Sequence, residues 1–421
     1  MLRSRRMLLA VLVVLGWCSV TARPAGAQER DDVSKSTAPP AAATMDVGDL
    51  WRRLWHQPPP ETQDAAAAAR RKAFVVAPTI GSKPSTGLSL GVATNVAFFR
   101  GDPRTTRIST TNAGLRVTQK HQLLAGVRFS IFTDHDRWFL SGDNRASLSS
   151  QGTYGLGTNT LSTDVVSTKY TYTRMFETVY RQISHHLFVG GGVDVDTHAN
   201  VRPGSTKAAA AWDRSAFVTY SQAHQFEVAN QTSAGTSMNL LFDTRDGGIN
   251  PSHGWLANAS YRTFISGFLG GDSTWQELYL DTRTYRKLTS SGRHKLAFWM
   301  VSDLVTGGTA PYLDLPTIAV DGRSGRGYGE GRFRGDRLMY GEMEYRGTLS
   351  PNGMFGMVLF LNTTTVSDKA AHIQLGDSFA TGGGLGLRVL LNKRSRTNLG
   401  ADYGWGKQDS RGFYLSIQEA F

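Results

Sequence analysis

Cysteine is almost absent: the 421 residues hold one, Cys18. It falls inside a leader-like segment, so the chain beyond residue 27 can form no disulfide. Long apolar runs are scarce too. "MLLAVLVVLGW", Met7 to Trp17, is too short for a spanning helix of about 20 residues, no second such run follows, and mean hydropathy is −0.28. Spanning helices are thereby excluded. A membrane β-barrel is not, because its strands alternate lipid-facing and lumen-facing residues and escape hydropathy averages. Massed positive charge is also missing. The formal charge is +12, but the arginines are scattered among acids and nothing resembles a nucleic-acid module.

Arg3, Arg5 and Arg6 precede the apolar run, and Ala25, Gly26 and Ala27 follow it. Together they predict a secretory signal peptide over 1–27. Cys18 offers a rival reading as a lipid-attachment site, but Trp17 stands where a small residue is needed. Cleavage after Ala27 takes away four arginines and no acid, so the formal charge falls from +12 to +8. That balance suits a surface facing anionic lipid or lining a pore. Residues 28–72 ("STAPPAAAT", "HQPPPETQ", "DAAAAARRK") have the composition of a mostly disordered periplasmic linker. One island, Met45 to Trp55, sets Leu50, Trp51, Leu54 and Trp55 against Arg52 and Arg53, as in a short amphipathic helix. Such a helix could plug a barrel, lie on the inner leaflet or dock on a partner; a linker with an incidental helical turn is the plain alternative.

From residue 73 the texture changes to period-2 alternation. Leu88, Leu90, Val92, Thr94, Val96 and Phe98 share one face; so do Trp255, Ala257, Ala259 and Tyr261, and again Leu399, Ala401, Tyr403 and Trp405. The opposite faces are polar or glycine. A lipid-embedded sheet must pair every backbone group and close on itself, so residues 73–421 are expected to form an all-β transmembrane antiparallel barrel. About sixteen strands emerge, near 74–81, 87–99, 106–118, 122–132, 137–149, 168–181, 186–196 and 235–245, then 254–264, 275–288, 295–305, 338–349, 355–366, 380–391, 397–406 and 412–421. With both ends periplasmic, the inner connections are short and the outer ones include 150–167, 197–234 and 306–337. In the final strand Phe413, Leu415, Ile417 and Phe421 fall on one face, as in a C-terminal outer-membrane sorting strand, with Glu419 interrupting the pattern.

Chemistry is sparse. Asp134, His135 and Asp136 have metal-ligand side chains but sit in an expected turn, where polar residues are ordinary. His185 and His186 are adjacent and point to opposite sides of a strand. No serine, histidine and acid share a face, as nucleophilic catalysis needs, and "GGGLG" in a strand marks a close approach rather than a phosphate loop. No enzyme activity, metal or cofactor is expected.

Three segments resemble the outer-membrane assembly-factor superfamily of BamA and TamA, the bacterial surface-antigen family. "FDTRDGGINPSHGW" carries Asp243, Arg245, Asp246, Pro251 and Gly254 in a strand–turn–strand motif, in which the acids can cap turn amides. "RGYGEGRFRGDRLMYGEMEYR", Arg326 to Arg346, resembles a loop with an Arg-Gly-Tyr tip followed by a strand ending Glu-Tyr-Arg. The last 41 residues, from Thr381, are similar to the family's closing strands. "TYGLGTN", Thr153 to Asn159, resembles a glycine-rich loop of the same proteins. The resemblance implies that the sixth outer loop folds into the lumen and is pinned there by Arg326, Gly327 and Tyr328. Lumen-facing parity nominates Asp303, Glu342 and Glu344 as wall partners. Asn362 stands where the family commonly has Asp, so the charged lock is expected to be weaker or displaced. The resemblance further implies insertion, assembly or translocation of protein or lipid at the outer membrane, through a weak seam between first and last strands that glycines 81, 87, 404, 406 and 412 would permit. Outer-membrane lipid, unfolded outer-membrane proteins or a periplasmic partner would be the partners, and nucleic acid would not. No periplasmic transport-associated (POTRA) domain fits between residues 27 and 73, so a barrel-only member is expected. The alternative is a passive pore or structural surface antigen that has lost the assembly role.

Overall fold

The computed structural model describes residues 44–56, 73–102, 104–319, 323–393 and 396–421. The leader over 1–27 and most of the linker over 28–72 lie outside the described residues.

Period-2 alternation becomes a closed antiparallel barrel of sixteen strands, each paired with its neighbours in sequence, with the first meeting the last. The strands are β1 (Ala73–Lys83), β2 (Gly87–Phe98), β3 (Ser109–Thr118), β4 (Leu123–Phe132), β5 (Trp138–Thr153), β6 (Val166–Ser184), β7 (Leu187–Pro203) and β8 (Gln231–Asp243). They continue with β9 (Gly254–Phe264), β10 (Trp275–Lys287), β11 (His294–Gly308), β12 (Arg337–Thr348), β13 (Phe355–Ser367), β14 (Ala380–Asn392), β15 (Thr397–Trp405) and β16 (Arg411–Ile417). Leu88, Leu90, Leu359, Leu361, Leu385 and Leu387 stand exposed on the outer wall, while Ser237, Asn239, Glu342 and Asp402 are buried inside. Trp138, Trp255 and Phe355 open their strands at the rim of short turns and are exposed, forming part of an aromatic girdle.

β5, β6, β7 and β8 run past their expected long-loop ends. The β5–β6 ladder continues to Thr153↔Val166, and β7 reaches Pro203. Above the lipid both faces are polar, so alternation fades while hydrogen bonding goes on. The remaining loop between β7 and β8 holds two helices, α2 (Thr206–Ala210) and α3 (Ala216–Ala223), N-capped by Ser205 and Ser215. Buried Phe217 of α3 packs edge-on against Tyr312, with ring centroids 5.8 Å apart. A further helix, α1 (Val47–Leu54), lies before the barrel.

The C-terminus departs from expectation. β16 stops at Ile417, Gln418 takes φ 84°, and Glu419 to Phe421 turn into the lumen. Phe413 and Ile417 are exposed, but Phe421 is 5% exposed and packs against Trp299 (centroids 5.2 Å) and Tyr285 (6.2 Å). Phe421 therefore does not share a face with Phe413, Leu415 and Ile417. Glu419 supplies the reason: continuing the strand would aim its charge into lipid, at a depth-dependent cost below the roughly 2–4 kcal/mol of a lysine or arginine at the midplane. Turning inward gives it Arg388 at 2.8 Å.

Candidate functional site

The loop between β11 and β12 folds back into the barrel, and its tip is pinned by charge. Arg326 is 2% exposed. One guanidinium nitrogen, Nη1, meets Asp402 at 2.7 Å; the other, Nη2, meets Glu342 at 2.5 Å and also Glu344. The guanidinium lies over the Phe360 ring, 3.8 Å from its centroid. The network spreads further. Glu344 pairs with Arg346 at 2.6 Å, Asp402 with Arg388, and Arg388 with Glu419. Arg346 donates to the Phe421 main-chain oxygen (2.8 Å), and Asn398 donates to Glu419 (2.7 Å). Loop tip, C-terminal tail and strands β12, β14 and β15 thus share one buried cluster. Mutual pairing offsets a desolvation penalty of several kcal/mol, roughly, for each ion.

Two nominated partners stand differently from the sequence reading. Asn362 does not face the guanidinium as an acceptor; its amide donates to the Arg326 carbonyl at 2.9 Å and clamps the loop backbone. Asp402 on β15 brings a third carboxylate, so the lock is displaced along the wall. Asp303 takes no part. Parity places it on the lumen face, but it pairs with Leu338, whereas Glu342 pairs with Trp299. Four residues of strand separate them, about 13 Å, and Asp303 lies beside Glu277 instead. Parity gives the face and not the height.

Gly327 and Tyr328 stitch the tip to the last three strands. Gly327 has φ 105°, a region closed to side-chain-bearing residues, and an added Cβ would come within 2.8 Å of the Trp405 carbonyl oxygen. Its N–H donates to the Tyr414 hydroxyl (2.9 Å), and its carbonyl accepts from Ser410 (2.6 Å). Tyr328 donates its hydroxyl to the Thr381 carbonyl (2.6 Å) and accepts from the Lys407 N–H (2.9 Å). Gly404 and Gly406, read from sequence as loosening a seam, leave room here for the loop backbone and the Tyr328 ring. Higher up, Arg334 donates to the carbonyls of Tyr312, Leu313 and Leu315, and its own carbonyl accepts from Gly157 of the glycine-rich segment. Asp402, Arg388, Arg346, Glu419 and Tyr414 were not singled out beforehand. Inward parity was visible for Asp402, Arg388, Arg346 and Tyr414; Glu419 has outward parity and reaches the lumen only through the turn at Gln418, and the common height of the five was not visible.

The seam is short. β1 pairs with β2 along its whole length, from Ala73↔Ala97 to Lys83↔Gly87, and β15 pairs with β16 from Leu399↔Ile417 to Trp405↔Arg411. Among the described residues β1 and β16 share one register pair, Ser82↔Leu415. Because β16 ends at Ile417 and the tail turns inward, β1 from Ala73 to Thr79 has no strand beside it on that edge among the described residues.

At the short-turn rim, Asp243 holds Arg245 through both carboxylate oxygens, at 2.9 Å each. Asp246 accepts from the Ser252 N–H (2.7 Å), the Ser252 hydroxyl (2.6 Å) and the His253 N–H (3.3 Å). Burial would raise the Asp246 carboxyl, but hydrogen bonds from Ser252 and Arg396 hold it well below the usual range. Pro251 is buried, and Gly254 takes φ 104° where the chain re-enters the sheet. Asp134 and His135 pair with each other at 2.9 Å, while Asp136 accepts from the Arg107 N–H at 2.8 Å, so both acids act as turn ligands. Among the described residues no group of three or more His, Cys, Asp or Glu could hold a metal.

Comparison with solved structures places the fold. BamA from Haemophilus ducreyi lacking POTRA domains 1–3 aligns with a TM-score of 0.54 at 12% identity, over 83% of this chain and 70% of that one. CdiB from Acinetobacter baumannii aligns with a TM-score of 0.54 at 15% identity, over 83% of this chain and 59% of that one, less than two thirds of its length. No curated protein matches the sequence. The model of the Omp85 superfamily domain matches residues 86–421, four-fifths of the sequence, and on that match the chain belongs to the Omp85 superfamily of outer-membrane barrels.

Proposed function

We propose that this barrel assists insertion, assembly or translocation of protein at the outer membrane by opening along the β1–β16 seam. The observation that carries this reading is the single register pair Ser82↔Leu415, beside a β1 edge whose lower two-thirds faces no strand among the described residues. An unpaired edge is a template for an incoming strand, and in an outer-membrane barrel the short-turn rim is periplasmic, where an unfolded client would arrive. The pinned loop and the inward tail stand in the lumen against β10, β11, β12, β14 and β15, and a client would be offered backbone partners at the β1 edge. No catalytic step is required; hydrogen bonds exchanged between β1 and client do the work. Unfolded outer-membrane proteins are the client class, and outer-membrane lipid is the surroundings.

The second reading, a passive barrel without a client, keeps the same seam with no traffic through it. A disulfide across the seam separates the two. With Ser82→Cys and Leu415→Cys combined in a chain whose Cys18 is replaced by serine, the oxidised barrel should lower the levels of other outer-membrane proteins, and reductant should restore them. Unchanged levels under both conditions, and on depletion of the protein, would leave the passive barrel standing.

A further inference from the structure

α1 is tied to the barrel by one side only. Asp46 caps it through a reciprocal box with Asp49 and accepts from the Lys393 N–H at 3.1 Å. Asp49 pairs with the Lys393 ammonium at 2.7 Å, and the Met45 N–H donates to the Asn352 carbonyl at 2.9 Å. Both contacts lie on neighbouring short turns, β12–β13 and β14–β15. At about 100° per residue, Asp49, Arg52 and Arg53 occupy the side towards Lys393, while Leu50, Leu54, Trp51 and Trp55 span an arc of about 140° on the other. That arc is bare: Trp51 is 56%, Trp55 63% and Leu54 65% exposed.

We propose that α1 beds its Leu50–Trp51–Leu54–Trp55 face in the phospholipid leaflet at the periplasmic rim, making an interfacial anchor for the segment that precedes β1. Three observations choose lipid as the occupant. The helix is anchored on the β12–β13 turn, whose flanks Leu349 and Phe355 are themselves exposed on the outer wall, so its apolar arc continues the barrel's own lipid-facing band. The paired tryptophans, with ring centroids 5.5 Å apart, are of the type enriched at membrane interfaces. Arg53 is exposed and makes no ion pair among the described residues, and it borders the apolar arc where lipid phosphates would lie. The proposal depends on outer-membrane location and not on opening of the seam.

The test uses the full chain with Cys18→Ser, reconstituted in phosphatidylethanolamine–phosphatidylglycerol vesicles and nitroxide-labelled at one introduced cysteine. Leu54→Cys and Trp55→Cys report the apolar arc, and Arg53→Cys the polar side. Leu387→Cys on the outer wall and Ser291→Cys in a short turn are the lipid and water references. Heat-modifiable migration in gels confirms that each barrel is folded. Labels at 54 and 55 should collide with oxygen over a water-soluble nickel chelate several-fold more than the label at 291, matching 387, while 53 resembles 291. A water-like ratio at 54 and 55 overturns the proposal. Shielding from both reagents also overturns it, because a protein surface, a second copy included, would then cover the arc.

Discussion

The barrel closes by different means on its two sides. On the far wall β5, β6 and β7 are joined by long ladders, from Trp138↔Arg181 to Thr153↔Val166 and onward to Thr168↔Pro203. Lumen ion pairs there, such as Arg174–Asp196 at 2.5 Å, decorate a sheet the backbone already holds. At the seam the ladder shrinks to one pair, and the buried cluster of Arg326, Arg388, Arg346, Glu419 and Phe421 ties the inward loop and the tail that follows β16 to β12, β14 and β15 and to the aromatics of β10 and β11. On that side of the cylinder the β1–β16 ladder is short, and the loop and tail behind the neighbouring strands are held by side chains rather than by main-chain pairing. A strong wall and a releasable one in the same cylinder is what a seam-opening function would use.

Breaking the network should therefore damage the seam side most. Arg326→Ala leaves Glu342, Glu344 and Asp402 sharing buried charge with too few cations and should cost about 3–5 kcal/mol, read by urea unfolding in detergent. The same variant should turn small, flickering currents in planar bilayers into larger ones as the loop leaves the lumen; unchanged conductance would remove Arg326 from its role as pin. Phe421→Ala is the next largest effect, about 3 kcal/mol from the cavity beside Trp299 and Tyr285, and amide exchange should rise in β16 while β5 and β6 keep their protection. Asp402→Asn should cost less, about 1–3 kcal/mol, because Arg326 keeps two glutamates and Arg388 keeps Glu419. In the unaltered protein, amides of β1 on the edge facing the gap should exchange faster than any in β6, which sharpens the comparison without a mutation. The smallest effect concerns α1. The Lys393 hydrogen bond holds the Asp49 carboxyl well below its ordinary value, so this link is fully present above about pH 4 and is lost only as pH falls through the lower folded value. Mobility of a spin label at residue 53 should stay constant from pH 8 to 5.

Much of this was legible beforehand. Strand number and most strand starts followed from alternation: the strand expected over 254–264 is β9, with the same bounds. Arg326, Glu342 and Glu344 were named as one group from family resemblance and parity, and the structure brings them together. Asp303 was named on parity alone and lies one strand segment too high. Phe421 was placed on the face of Phe413, Leu415 and Ile417 because a period of two was carried through Gln418, whose positive φ no periodicity reports. Asp402 went unnamed because two strands, β13 and β14, separate it from Glu342, while the curvature of the wall lets Arg326 reach both.

The order of residues alone determined that this chain is a membrane barrel, which face of each strand meets lipid, and that a cationic glycine-rich loop would not join the wall. Those are local properties, carried by side-chain period and backbone permissiveness. Which carboxylates meet Arg326, how short the seam is and where the last three residues go were decided by closure. Height along a strand depends on the register accumulated around the whole cylinder, and no local stretch of sequence encodes that sum.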